Sequence, residues 1–161
     1  MNYTIRNGIK DDMQAVWLLI KELAIFENEP DAVEVTIEDL EKDGFSKSPK
    51  FEVFVAELEN EIVGIALFYY RYSTWKGSTI HLEDLVVREN KRNLGIGKSL
   101  YNEVMRYAYK KKVRRVEWDV LDWNSNAISF YEKTGATMLK EWNAVKMYEK
   151  ELAAYIKSID V

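Results

Sequence analysis

The stretch that most constrains the fold is an apolar run followed by a glycine-containing loop and an amphipathic segment. The run covers 82–87, the loop 92–97 and the amphipathic segment 98–112. In the last of these, Leu100 and Val104 recur at helical spacing, so the order is strand, loop, helix. A helix that begins after glycines directs free backbone N–H groups and the positive end of its dipole at the loop. The pattern therefore predicts a site for a diphosphate.

The spacing of the glycines excludes two common phosphate loops. A P-loop needs a glycine where Arg92 stands, and a dinucleotide fingerprint needs a third glycine where Leu100 stands. What remains is Arg92-x-x-Gly95-x-Gly97. Taken alone, this loop leaves two interpretations open: it binds phosphates, or its glycines merely begin a helix.

Length and composition predict one domain over 1–161, because 161 residues suffice for one sizeable core and leave no room for a second. No apolar run reaches membrane-spanning length and the N-terminus lacks a signal peptide pattern, so we expect a cytoplasmic protein without membrane contact. The chain has no cysteine and one histidine, which argues against disulfides, a metal site and a Cys- or His-based nucleophile. A net charge of -4 argues against nucleic-acid binding and mildly favours cationic partners.

The remaining periodicities predict an α+β protein with a central sheet. Predicted strands lie at 3–6, 51–58, 62–72, 79–87, 116–121 and 139–148. Predicted helices include a buried stripe over 16–23 and segments at 37–43, 98–112, 127–134 and 149–158. The strands from 51 to 87 follow one another closely, so they should form an antiparallel meander.

Three further features allow a functional and a plain structural interpretation. Phe26 and Glu27 lie in a segment that ends before Pro30, which is either a solvated helix end or a lip that binds a cation. The basic run 110–115 is better explained as a solvated helix C-terminus than as a nucleic-acid contact. His81 has no ligand-type neighbour at ligand spacing, so the sequence assigns it no role.

With the rest of the chain in view, the loop is part of a larger resemblance. The strand 82–87, the Arg-x-x-Gly-x-Gly loop, and Leu121-Asp-Trp-Asn124 followed by 127–136 resemble motifs of the GCN5-related N-acetyltransferase (GNAT) superfamily. The chain is most similar to its spermidine/spermine (diamine) and thialysine N-acetyltransferase branch, over about residues 3–148.

The resemblance implies the acyl-CoA N-acyltransferase fold. This fold is a mixed, mostly antiparallel sheet with flanking helices, splayed between strands 4 and 5, and acetyl-CoA lies in the gap as co-substrate. The resemblance also implies a homodimer and a small cationic amine as the second substrate.

It further implies roles for individual residues. The positions for acetyl-CoA are Leu85, Val86 and Val87 beside the pantetheine arm, Arg92, Asn93, Leu94, Gly95, Ile96, Gly97 and Lys98 at the pyrophosphate, and Asn124, Ser125, Asn126 and Ala127 on the other side of the pantetheine. Phe26, Glu27 and Glu83 match positions that bind the acceptor, and Tyr131 matches the residue beside the thioester sulfur.

Acetyl transfer to an amine requires a group that takes a proton from the amine. An acceptor amine with a pKa of ~10.4 is protonated at pH 7, and neutralising it costs roughly 4–5 kcal/mol. Glu83 is the acid in the organising strand that could face the acceptor, directly or through a water. It could instead merely attract the ammonium. In a regular strand Asp84 would point to the opposite face, which makes it the weaker candidate. Tyr131 would donate a proton to the departing thiolate.

One departure from the branch leaves the acceptor open. Polyamine enzymes of this branch carry a Glu-Gly-Trp segment near the end, whereas this chain has Lys140-Glu141-Trp142. Other acceptors are therefore a protein lysine, a peptide N-terminus or an aminoglycoside. A non-catalytic acyl-CoA sensor is a further alternative, although such a protein should lack the base or the phenol.

Overall fold

Five strands form one sheet in the spatial order β1-β2-β3-β4-β5, in a computed structural model that describes residues 2–159. The strands are β1 (Tyr3–Asn7), β2 (Glu52–Leu58), β3 (Glu61–Ser73), β4 (Gly77–Val87) and β5 (Val116–Glu117). The helices are α1 (Met13–Phe26), α2 (Ile37–Gly44), α3 (Ile96–Lys110), α4 (Ser125–Lys133) and α5 (Glu149–Ile159), with short 3-10 turns at Lys10–Asp12 and Glu89–Lys91.

The pairing confirms the mixed, mostly antiparallel sheet expected from the sequence. Strands β1 to β4 pair antiparallel with their neighbours, and β5 pairs parallel to β4. The parallel ladder joins Ile80 to Val116 and His81 to Glu117, and in the described residues it goes no further. From Leu82 onwards the outer edge of β4 therefore has no strand partner among residues 2–159, as a sheet splayed between strands 4 and 5 requires.

The fifth strand is shorter than predicted, because the sequence placed it at 116–121 and the structure confines it to Val116–Glu117. The ladder stops just before an irregularity in β4, where Leu82 pairs with Phe68 and Asp84 with Leu67. Glu83 is thus an extra residue in β4. A bulge of this kind bends a strand and ends its pairing with a neighbour, which a pattern within one strand does not reveal.

The helices α1 and α2 cover one face of the sheet. The buried side chains on this face are Met13, Val16, Leu19, Leu40, Val53, Val55, Ile62, Ile65, Leu67 and Val86. Val16 and Leu19 belong to the stripe predicted for the first helix, and each such side chain contributes about 1.5–3 kcal/mol when it is fully buried. The packing of these side chains therefore sets the position of α1, and so of its C-terminus, relative to β4.

Helix α3 packs on the sheet and buries Ile96, Leu100 and Val104. It comes close to β3 at Gly64, where an added Cβ would lie 3.1 Å from Leu100 Cδ1 and 3.0 Å from the Val86 carbonyl oxygen. Glycine at this position therefore allows the first turns of α3 to lie directly against β3 and β4.

The chain divides into two compact units, Met1–Leu121 and Asp122–Val161, and the second contains α4 and α5. The strand predicted at 139–148 is wrong, because these residues have no regular structure. A strand needs a partner for its backbone groups, and the described part of the second unit contains none. Among residues 2–159, no helix is both long and apolar enough to cross a bilayer.

Candidate active site

The loop before α3 has the geometry of an anion site. Asn93 and Gly95 both have left-handed backbone (φ 64° and 81°), and α3 begins directly after them at Ile96. The first turn of α3 carries no acidic side chain, and Lys98 is exposed there. The N–H groups of this turn have no helical acceptor, so together with the helix dipole they favour a bound anion.

Gly97 leaves room for a ligand at this turn. An added Cβ there would have one neighbour, Val87 Cγ2 at 3.6 Å, which is an ordinary van der Waals distance. Tyr3 supports the turn from β1, because its hydroxyl lies 2.8 Å from Ser99 Oγ. The backbone of this turn is therefore accessible to a ligand and is supported from β1, which fits a pyrophosphate site.

Arg92 connects this loop to two other parts of the site. Its Nε donates to the carbonyl oxygen of Val87 at 3.1 Å, and its guanidinium lies over the ring of Phe26, 5.2 Å from the ring centre. Phe26 is the last residue of α1. The phosphate loop, the end of β4 and the lip at the end of α1 are thus in contact.

The end of β4 offers backbone groups to an extended ligand. Leu85, Val86 and Val87 pair on one side with residues 64–66 of β3, and the ladder to β5 has already ended at His81. An unpaired strand edge is a template for an amide-containing chain, which would bind as an added strand. The pantetheine arm of coenzyme A has amides of this kind, so the edge fits the role that the resemblance implies.

The bulge at Glu83 changes which side chains share a face of β4. His81 pairs with Tyr69 and Asp84 pairs with Leu67, and positions 67 and 69 lie on the same face of β3. His81 and Asp84 therefore lie on one face although three positions separate them. The sequence placed Asp84 on the face opposite Glu83 on the condition that the strand is regular, and the bulge removes that condition. Leu67 belongs to the core under α1, so this is the α1 face.

Glu83 is held by two side chains on this face. The hydroxyl of Tyr69 donates to Glu83 Oε2 at 2.9 Å, and His81 Nε2 lies 3.4 Å from the same oxygen. Burial raises the pKa of Tyr69 to about 12, helped by its hydrogen bond to Glu83 and by the charge of that carboxylate. Tyr69 therefore remains a donor throughout the physiological range, and Glu83 is left half exposed to solvent.

Asp84 lies in a more buried position and feels two other carboxylates. Burial, followed by the negative charges of Glu83 and Glu27, raises the pKa of the Asp84 carboxyl to about 7. The charges of Glu83 and Glu27 thus act on Asp84, and we call these three acids the carboxylate cluster (Glu27, Glu83, Asp84). A group with a pKa near 7 is well matched to accept a proton at neutral pH. Such a cluster suits a cationic ligand.

The remaining predicted site residues belong to the second unit. Asn124 caps α4, since its Oδ1 accepts from the Ala127 N–H at 3.2 Å, and Ser125 begins the helix. Tyr131 is buried on α4, with its ring 5.3 Å from that of Phe130. The helix predicted at 127–134 is thus confirmed, and it begins two residues earlier. Glu141 is exposed in a segment without regular structure.

Sequence reasoning did not connect three residues of the candidate site. Asp84 was ranked the weaker candidate because the bulge was not foreseen, and Tyr69 and His81 were not connected to Glu83 because the register of the β3–β4 hairpin was unknown. Adjacent acids at the end of an apolar strand were the signal that could have identified Asp84. In the described part of the chain, no cluster of three or more His, Cys, Asp or Glu is arranged to hold a metal ion.

Comparison with known proteins identifies the same family that the sequence motifs resemble. The family model described as "Acetyltransferase (GNAT) family" matches residues 14–136. A thialysine N-epsilon-acetyltransferase of Caenorhabditis elegans is 39% identical over 131 residues, which cover 81% of each chain. The enzyme of the same name from Bos taurus is 37% identical over 145 residues, which cover 85% of each chain.

The fold has a close counterpart among solved structures. An integron cassette protein from the mobile metagenome of V. cholerae superposes with a TM-score of 0.79, covering 98% of this chain and 99% of the other. The two are 23% identical in sequence, so this likeness concerns the fold alone.

Proposed function

The chain belongs to the acetyltransferase (GNAT) family, and we propose that its acceptor is the primary amine of a small cation of the thialysine, diamine or polyamine type. Family membership makes it an N-acetyltransferase that uses acetyl-CoA as co-substrate. The observation that carries the choice of acceptor is the carboxylate cluster at the end of β4, because three neighbouring acids favour a ligand with more than one positive charge.

Acetyl-CoA supplies a thioester whose acetyl group passes to the amine. The N-terminal turn of α3 and the loop 93–98 would hold the pyrophosphate, as their free N–H groups and Lys98 favour an anion. Leu85 to Val87 would pair with the pantetheine arm along the unpaired edge of β4. Arg92, which is bound to Val87 and Phe26, would hold the loop against β4.

We assign the proton transfer to the pair of adjacent carboxylates. Asp84 is the better matched acceptor of the ammonium proton, because its pKa is raised to about 7. Glu83, fixed by Tyr69, would attract the ammonium, and Glu27 would bind a second positive charge with Phe26 beside it. The earlier assignment of the proton to Glu83 stays a prediction, and comparing Glu83→Gln with Asp84→Asn separates the two.

Tyr131 would protonate the sulfur of the departing coenzyme A, and residues 124–127 would contact the other side of the pantetheine, as the resemblance implies. The family model spans 14–136 and so includes parts of both compact units. This supports our proposal that 1–161 act as one catalytic domain. The homodimer and the cytoplasmic location also stay predictions.

The proposal is tested by measuring thiol release from acetyl-CoA with a panel of acceptors. The panel contains thialysine, diamines, polyamines, a monoamine, a lysine peptide, a free peptide N-terminus and an aminoglycoside. We expect the highest kcat/KM with a small diamine or thialysine. A preference for the peptides or the aminoglycoside would refute the proposed acceptor, and no turnover with any of them would favour the acyl-CoA sensor.

A further inference from the structure

His81 is the only histidine in the chain, and it lies within the candidate active site. It is buried on β4, 8% exposed, beside its register partner Tyr69, and the two ring centres are 5.2 Å apart. Its Nε2 lies 3.4 Å from Glu83 Oε2, slightly longer than an ordinary hydrogen bond. The ring is thus packed where it faces the carboxylate that Tyr69 also contacts.

The two ring nitrogens of His81 have different surroundings. Nδ1 is buried and has no hydrogen-bond partner within residues 2–159, whereas Nε2 faces the Glu83 carboxylate. A neutral imidazole carries its proton on one nitrogen only. A proton on Nδ1 would be a buried donor without an acceptor, which is rarely tolerated. The surroundings therefore favour the form with the proton on Nε2, directed at Glu83.

The other charged groups around His81 are already engaged. Glu117, its register partner on β5, forms ion pairs with Arg71 and Arg115, with N···O distances of 2.9 and 2.7 Å. Asp84 is on the same face and interacts with Glu83 and Glu27. Tyr69 is uncharged and donates to Glu83. The close polar contact that His81 makes is therefore with Glu83.

We propose that His81 is a positioning residue that, with Tyr69, fixes the Glu83 carboxylate for binding of the acceptor ammonium. Both side chains contact Oε2, which leaves Oε1 for the substrate. A glutamate on a strand edge otherwise samples several rotamers, and ordering it costs free energy when the ligand binds. Holding it in advance should lower the acceptor KM and leave the KM for acetyl-CoA unchanged. This inference rests on the proposed function, in which Glu83 binds the ammonium.

The first test leaves His81 itself unchanged. Because the chain has a single histidine, its ring ¹⁵N signals can be read directly from the full-length protein by NMR. In the neutral ring we expect the proton on Nε2, and we expect Glu83→Gln to shift these signals. An Nδ1–H form, or signals unaffected by Glu83→Gln, would overturn the proposal.

The second test separates positioning from packing. His81→Phe keeps a ring and removes both nitrogens, whereas His81→Gln keeps an N–H donor. We expect His81→Phe to raise the acceptor KM by roughly 10-fold, while the KM for acetyl-CoA stays within about 2-fold of wild type. We expect the acceptor KM of His81→Gln to lie much closer to that of wild type. Equal behaviour of the two variants would mean that the nitrogen is not needed. If His81→Phe does not fold, as judged by circular dichroism, His81→Gln and the NMR test still decide.

A double-mutant cycle shows whether His81 acts through Glu83. In the presence of Glu83→Gln, His81→Phe should change the acceptor KM little, because the group it positions is gone. Tyr69→Phe should resemble His81→Phe, whereas Tyr70→Phe, which removes a hydroxyl that contacts Tyr107, should match wild type. Additive effects of His81→Phe and Glu83→Gln would overturn this inference while leaving the acetyl transfer intact. Wild-type protein without activity on any amine would instead refute the proposed function.

Discussion

The hydroxyl of Tyr69 donates a 2.9 Å hydrogen bond to Glu83 Oε2, across the β3–β4 hairpin and beside the bulge that Glu83 creates. This contact places Glu83 on the α1 face of the sheet, where Asp84 also lies. Two consecutive acids thus share one face, which a regular strand does not allow. The bulge is therefore the feature that builds the proposed acceptor side of the site.

The first prediction concerns the phosphate loop. Gly97→Asp adds a carboxylate where the α3 N-terminus would meet the pyrophosphate, and the nearest contact of its Cβ is an ordinary 3.6 Å, so the protein should fold. We expect affinity for acetyl-CoA to fall by about 100-fold or more, through charge repulsion at an anion site. Gly97→Asn has almost the same size without the charge and should bind more tightly than Gly97→Asp. Calorimetry showing equal affinities for the two variants would place the diphosphate elsewhere.

The second prediction is that Asp84 lowers stability at neutral pH. Its folded pKa of about 7 lies above the ordinary value of 3.8, so as the pH rises from 4 to 7 the unfolded chain ionises this group first. Below about pH 4 the Asp84 carboxyl is protonated in both states and does not reduce the free energy of unfolding. The free energy of unfolding then falls as the pH rises from 4 to 7, and above pH 7 the loss stays constant.

Asp84→Asn removes that cost. At about pH 8 the variant should be more stable than wild type by about 2–4 kcal/mol, and near pH 4 the difference should largely vanish. Denaturant unfolding at both pH values measures this. The exposed Asp31→Asn serves as control and should show no such pH dependence. A variant that is less stable than wild type at pH 8 would mean that Asp84 is not held in an unfavourable charged state.

The third prediction concerns catalysis by the same residue. If Asp84 accepts the ammonium proton, Asp84→Asn should reduce kcat/KM by roughly 10²–10⁴-fold at neutral pH and recover partly at higher pH, where free amine is abundant. The profile of kcat/KM against pH checks this. Should Glu83→Gln show that recovery and Asp84→Asn lack it, the proton goes to Glu83 as the sequence first suggested.

The fourth prediction concerns Tyr131. Tyr131→Phe keeps the ring and removes the hydroxyl, so folding and affinity for acetyl-CoA should change little, while kcat falls by roughly 10²–10⁴-fold through loss of a positioned acid. Tyr155→Phe on α5 provides an exposed control. The measurements are kcat at saturation with both substrates and a thermal melt. A folded Tyr131→Phe that keeps more than about a third of wild-type kcat contradicts the role.

Local patterns predicted the loop and most elements, because glycine spacing, caps and alternation act within a few residues. The α3 N-terminus at Ile96 and the helix α4 at Ser125–Lys133 are of this kind. The bulge at Glu83 depends instead on register with β3, and the contacts of Tyr69 and His81 follow from that register. The wrong prediction of a strand at 139–148 has the same cause, because an alternating pattern does not show whether a neighbouring strand is available for pairing.

The central claim is that the carboxylate cluster selects an acceptor with two positive charges. Its most direct test is the ratio of kcat/KM for a diamine to that for a monoamine of matched length, in wild type and in Glu27→Gln, with the exposed neighbour Glu29→Gln as control. We predict a ratio well above one in wild type and Glu29→Gln, and a loss of roughly 10-fold in that ratio in Glu27→Gln, because only the diamine presents a second charge. Equal kcat/KM for the two amines in wild type, or an unchanged ratio in Glu27→Gln, would contradict the claim.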